Sequence, residues 1–104
     1  MLNISVLTPE KEIFHGGIKS VKVPGSLGQF QVLQNHAPIV SSLDAGTVYI
    51  VTAGGEYRYF DEETNTIKVG NETGRTITFK TAGGFIEVLN NEVSLLVKGV
   101  KDIK

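Results

Sequence analysis

From one end of the chain to the other, apolar and polar residues alternate one by one, and this period of two constrains the fold more than any other feature. Leu2, Ile4 and Val6 alternate with Asn3 and Ser5; Val21 and Val23 flank Lys22; Phe30 and Val32 flank Gln31. The pattern returns at Ile67/Val69, Ile77/Phe79, Ile86/Val88 and Val93/Leu95/Val97. Successive side chains of a strand point to opposite faces, so each run is expected to place its apolar members on a common core. Thr8-Pro9, Gly16-Gly17, Pro24-Gly25, Ala45-Gly46, Gly54-Gly55, Gly83-Gly84 and Asn90-Asn91 punctuate the runs with residues at ease in turns. Short, evenly spaced strands with no long stretch of period 3.6 predict an all-β fold, an antiparallel sandwich or barrel. Only Ala37–Leu43 could form a helical turn or two, and its β-branched Ile39 and Val40 weaken even that. The final residues, Val97 to Lys104, leave no room for a C-terminal helix.

At 104 residues the chain fits one domain, residues 1–104, with no second core. Mean hydropathy is close to zero, and no apolar run approaches the roughly 20 residues that cross a bilayer as a helix. The start lacks the features of a secretory signal, so the mature chain is expected to begin at Met1. The triplets Asn3-Ile4-Ser5 and Asn71-Glu72-Thr73 therefore carry little weight as glycosylation sites. Without cysteine, disulfides, zinc-thiolate sites and thiol nucleophiles are all excluded. Ten basic against eleven acidic side chains, with no Lys/Arg block, give no nucleic-acid footprint.

Two stretches imitate chemistry. Pro24 to Phe30 has glycines at 25 and 28, but no Lys-Ser or Lys-Thr and no following helix, so it is no phosphate cradle. Asp61, Glu62 and Glu63 cluster without the spaced oxygens of a calcium loop and read as a solvated hairpin tip. His15 is expected in a tight turn facing water. His36 lies in Asn35-His36-Ala37-Pro38, where Asn tolerates turn geometry and Pro38 fixes its own φ and biases Ala37 toward extended backbone. With two histidines, no His-x-His and no His-Glu-x-x-His, no metal or cofactor is expected. A rigid turn loses little entropy on docking, so the residues read as a compact all-β interaction module.

Taken in order, Thr8 to Ile50 and Gly83 to Val97 resemble the β-sandwich domain of the ε subunit of bacterial F-type ATP synthase. The matching motifs are the Thr8-Pro9-Glu10 segment, the Phe14-His15-Gly16 turn, the Val21 to Gly28 loop, His36-Ala37-Pro38, Ala45-Gly46, and Gly83-Gly84-Phe85-Ile86-Glu87-Val88 leading through an Asn hairpin to Leu96. The resemblance implies a two-sheet antiparallel β-sandwich at the foot of the central rotor stalk, a non-catalytic subunit docked on the γ subunit and touching the polar loops of the membrane c-ring. It places the complex peripherally on the cytoplasmic face of a bacterial inner membrane. The c-ring contact it implies comprises Ser26, Gln29, Asn35, His36, Ala37 and Pro38.

The sequence departs from the family in three places. Gln29 stands at a usually acidic position and Asn35 at a usual glycine, so the implied c-ring contact is less charged. Residues 53–80 are expected to form an extended or additional hairpin, with Tyr57 and Tyr59 on one face and Arg58 on the other. The C-terminal two-helix domain of most bacterial relatives is expected to be absent, and with it the helix-based inhibition of ATP hydrolysis. The competing readings are a free-standing β-barrel enzyme using His36 with a carboxylate such as Glu87, and a carbohydrate-binding or adhesive sandwich module.

Overall fold

A computed structural model describes residues 1–104. It contains ten strands and no helix: β1 (Leu2–Leu7), β2 (Glu12–Gly25), β3 (Gly28–Leu33), β4 (Ile39–Leu43), β5 (Gly46–Thr52), β6 (Tyr57–Asp61), β7 (Thr66–Gly70), β8 (Thr76–Thr81), β9 (Gly83–Leu89) and β10 (Glu92–Lys98). The segment with residual helical character is thus largely strand β4, where Ile39 and Val40 suit an extended backbone.

The organising element is β2, long enough to serve two layers. Its first half pairs with β1 on one side and with β6 on the other. Its second half pairs with β3 and β5. One layer therefore runs β4-β9-β10-β1-β2-β6-β7 and the other β3-β2-β5-β8. The local sequence explains the change of layer. Opposite β1, Val6 faces Phe14 while Leu7 faces Glu12, leaving Ile13 as an extra residue; opposite β5, Ile18 faces Thr52 while Ser20 faces Val51, leaving Lys19 as another. Each bulge bends the strand and reverses its alternation, so that Ile13 and Phe14, and later Ser20 and Val21, are buried in succession.

All pairings are antiparallel except that of β1 with β10, which run parallel from Asn3 beside Glu92 to Leu7 beside Leu96. Twenty-one apolar residues form one continuous core between the layers. Leu2, Ile4, Val6, Val21, Val23, Val32, Ile77, Phe79, Ile86, Val88, Val93, Leu95 and Val97 all lie in it, as their alternation requires.

Two expectations fail for reasons of packing. Ile67 and Val69 stay 45% and 59% exposed, because β7 pairs only with β6. Gly16 and Gly17 make no turn; they lie inside β2. A Cβ on Gly16 would sit 2.5 Å from that of Tyr57, so the glycine lets the β6 backbone lie close against β2; the Tyr57 ring stacks on Phe14 with centroids 5.5 Å apart.

Candidate functional site: an uncharged edge and an apolar outer face

The six positions implied by the resemblance are strung along one margin of the sandwich. Strand β3 pairs only with β2 and carries a turn at each end. At one end is the β2–β3 hairpin tip. There Ser26 Oγ lies 2.9 Å from Ser42 Oγ and donates to Asp44 Oδ1 at 3.1 Å, pinning the tip to β4. Leu27 beyond it is fully exposed, and Gln29 is exposed on β3 opposite Pro24. From Gln29 to Leu33, where the turn begins, β3 runs about 13 Å at the rise of a strand, so Ser26 and Gln29 do not meet the Asn35–Pro38 group.

At the other end, His36 N donates to Leu33 O at 3.2 Å and closes a turn whose Asn35 has φ of 63°. Asn35 and Asn91 hold each other: Asn35 N donates to Asn91 Oδ1 at 2.6 Å, and Asn91 Nδ2 to Asn35 Oδ1 at 3.2 Å. The turn is thereby fastened to the β9–β10 hairpin, whose Asn90 and Asn91 also have positive φ. Short amide side chains are the residues that enter this region at least cost after glycine. His36 Nδ1 lies 2.7 Å from Ala37 O; a carbonyl only accepts, so Nδ1 carries the proton and Nε2 points away from that bond. Ala37 and Pro38 are exposed. No Asp, Glu, Lys or Arg occurs between Lys22 and Asp44, so β3 and its two turns carry no ionisable side chain other than His36; the charges beside them are Lys22, opposite Gln31, and Asp44, which accepts from Ser26.

Neither histidine is placed for catalysis. The His36 ring bonds only to its neighbour's carbonyl, and Glu87 lies on β9 opposite Val40. His15, expected in a turn, is in mid-strand on β2 and half exposed. Its Nδ1 lies 2.9 Å from Ser5 Oγ and 3.8 Å from Glu12 Oε1. Hydroxyl and carboxylate thus address the same ring nitrogen, whereas a proton relay needs one at each. Glu12 is engaged by Arg58 through two bonds of 2.9 and 3.3 Å, which hold the guanidinium above its ordinary pKa. No group of three His, Asp or Glu side chains could hold a metal ion. The acidic tip is committed too: Asp61 Oδ2 pairs with Lys68 at 2.7 Å, and Glu62 accepts from Ile103 N.

The surface that sequence reasoning missed is the outer face of the larger layer. Ser42 on β4 faces Phe85 on β9, Phe85 faces Leu96 on β10, and Leu96 faces Leu7 on β1. Val40 lies one step along β4 on the same face. Phe85 is 59% exposed, Val40 71%, Leu96 50% and Leu7 39%, although all four stand in strands whose other side is core. A groove of about 670 Å³ runs along this row between Leu7, Pro9, Phe85 and Leu96, floored by Gly83 and Gly84. A Cβ on Gly84 would overlap the Leu96 carbonyl oxygen, so the floor cannot be filled. The signal was in the sequence as Phe85, Leu89 and Leu96, which occupy the polar phase of their strands.

Comparison with known proteins accords with this architecture. Residues 1–61 match the family described as ATP synthase, Delta/Epsilon chain, beta-sandwich domain. An ATP synthase epsilon chain of Leptospira borgpetersenii is 39% identical over 95 residues, 91% of this chain and 59% of the relative; the chain thus spans about three-fifths of that protein. An ATP synthase epsilon chain of Chlorobaculum tepidum is 35% identical over 97 residues, covering 93% of this chain and 89% of the relative. A cryo-EM structure of the central stalk and c-ring of Tetrahymena thermophila mitochondrial ATP synthase contains a chain that superposes with a TM-score of 0.67 at 18% identity, over 97% of this chain and 66% of that one. The motif order, the helix-free sandwich and these relatives agree: the chain belongs to the ATP synthase delta/epsilon family and carries its β-sandwich domain.

Proposed function

We propose that the chain is a non-catalytic bracket of the central stalk of an F-type ATP synthase, docked on the γ subunit by its outer face and on the c-ring polar loops by the β3 margin. In that position it would help couple ion translocation to ATP synthesis on the cytoplasmic face of a bacterial inner membrane. The observation that carries the reading is the exposed row Leu7–Leu96–Phe85 with Val40 beside it. An apolar row of this kind on an otherwise polar sheet face marks a contact surface, and aromatic and aliphatic anchors supply most of the affinity in an interface of standard size, about 1,600 Å². The β3 margin differs in kind. Its own residues carry few charges and it is stiffened at both ends by side-chain bonds, which suits a preorganised contact with polar loops that depends little on salt. A densely packed core between the two surfaces resists shear when one is turned against the other.

The test is a titration of the purified chain against an αβγ complex, following both binding and ATP hydrolysis. The expected outcome is submicromolar affinity with little inhibition. Phe85→Ala together with Leu96→Ala should weaken binding at least about tenfold, while His36→Ala leaves it unchanged. Absence of binding overturns the reading, and strong inhibition would assign the sandwich a regulatory part.

A further inference from the structure

Beyond Lys98 the chain leaves β10 at Gly99, whose φ is 63° and whose missing Cβ would stand 2.8 Å from that of Ala82. The following residues lie along the outer edge of β8. Lys80 N donates to Lys101 O at 2.9 Å and Lys101 N to Lys80 O at 3.1 Å; Lys104 N donates to Thr78 O at 2.9 Å and Thr78 N to Lys104 O at 3.3 Å. Ile103 N donates to Glu62 Oε1 at 2.8 Å. Glu62 lies in the β6–β7 turn, on the other layer. Val100 and Ile103 pack against the core without being buried.

This segment therefore ties the edge of one layer to the tip of a hairpin in the other. Apart from it, β6 is joined to β2 by the backbone pairs Phe14–Tyr59 and His15–Arg58, the Arg58–Glu12 ion pair and the stacking of Tyr57 on Phe14, all at the end of the hairpin away from its tip. None of residues 100–104 is buried, their backbone bonds are all to other segments, and a glycine in the left-handed region stands at their root. Those are the marks of a segment that opens locally, at a cost below that of global unfolding.

We infer that residues 100–104 form a latch pivoting on Gly99. Closed, it holds the β6–β7 hairpin against β8 and blanks the β8 edge. Open, it releases the hairpin tip at Glu62 and bares the Thr78 and Lys80 backbone groups on the β8 edge, while β8 stays paired with β5. Alternate amides of a strand point to opposite edges, so one strand reports both states: Thr78 and Lys80 amides face the latch, and Ile77 and Phe79 amides face β5.

Amide hydrogen exchange by NMR on the full chain is the experiment. Thr78, Lys80 and Ile103 amides are expected to exchange at least about tenfold faster than those of Ile77 and Phe79. Ile103→Asp should raise the Thr78 and Lys80 rates by about another tenfold and leave Ile77 and Phe79 unchanged. Glu62→Ala, a substitution at an exposed turn, should do the same to a smaller degree and keeps the test available if Ile103→Asp fails to fold. Equal rates at all four β8 amides in the unsubstituted chain, or rates that rise together in both variants, would overturn the latch and make the segment an integral strand.

Discussion

Asparagine and glycine hold this fold at points where other residues would strain or clash. Asn35, Asn65, Asn90 and Asn91 all have positive φ, and the Asn35–Asn91 pair adds reciprocal hydrogen bonds that fix the His36 turn to its neighbour. Asn91→Ala forfeits both the side-chain bonds and the tolerance for left-handed backbone. It should cost about 1–2 kcal/mol in urea denaturation and broaden the His36 ring resonances. Gly16→Ala should cost about 1–3 kcal/mol through overpacking against Tyr57, read in the same experiment. The two sites were unequally legible. Asn90-Asn91 announces a turn by its chemistry, whereas Gly16-Gly17 carries the same letters as a turn and serves packing with a residue some forty positions away, which no local pattern records.

Among the elements, the β6–β7 hairpin stands apart because charge and hydrogen bonding hold much of it. Lys68 holds the Asp61 carboxyl below its ordinary pKa through a direct hydrogen bond. Backbone N–H groups at Glu72 and Asn71 lower that of Glu72, which also accepts from the Tyr57 hydroxyl. Burial raises the pKa of that hydroxyl, against the opposing effect of Arg75. Both carboxyls titrate lower in the folded chain than in the unfolded one. The stability they add is therefore full above the ordinary carboxylate pKa, about 4, and is lost as pH falls through their lower folded values. Thermal midpoints measured from pH 6 downward should fall in that acid window, and Asp61→Asn should flatten the fall. Alternation marked β1, β8, β9 and β10 because each has a core on one side. It misjudged β7, where the same Ile-Lys-Val pattern meets no opposing layer. On β2 the change of phase between Ile18 and Val21 was not read, and its meaning as a change of layer needed the partner strands.

At the scale of the molecule, composition and period together were enough for a helix-free sandwich or barrel, and motif order was enough to choose the sandwich and its family. The exposed apolar row was not read, because Phe85 and Leu96 count as ordinary apolar residues until their neighbours across strands are known. Nor did the pattern reveal that β1 and β10 run parallel, joining the two ends of the chain. That pairing, with Asn3 beside Glu92, makes folding wait on distant segments, so refolding followed by tyrosine fluorescence should occur in about milliseconds to seconds, slower than helical proteins of this size. The sharing of β2 has a mechanical corollary. A twist applied to either face would reach the other along covalent backbone, through the bulge at Lys19 where β2 passes between the layers. Shared in this way, the two layers are joined as a leaf spring is, in one piece, where two plates held by contact alone could slip.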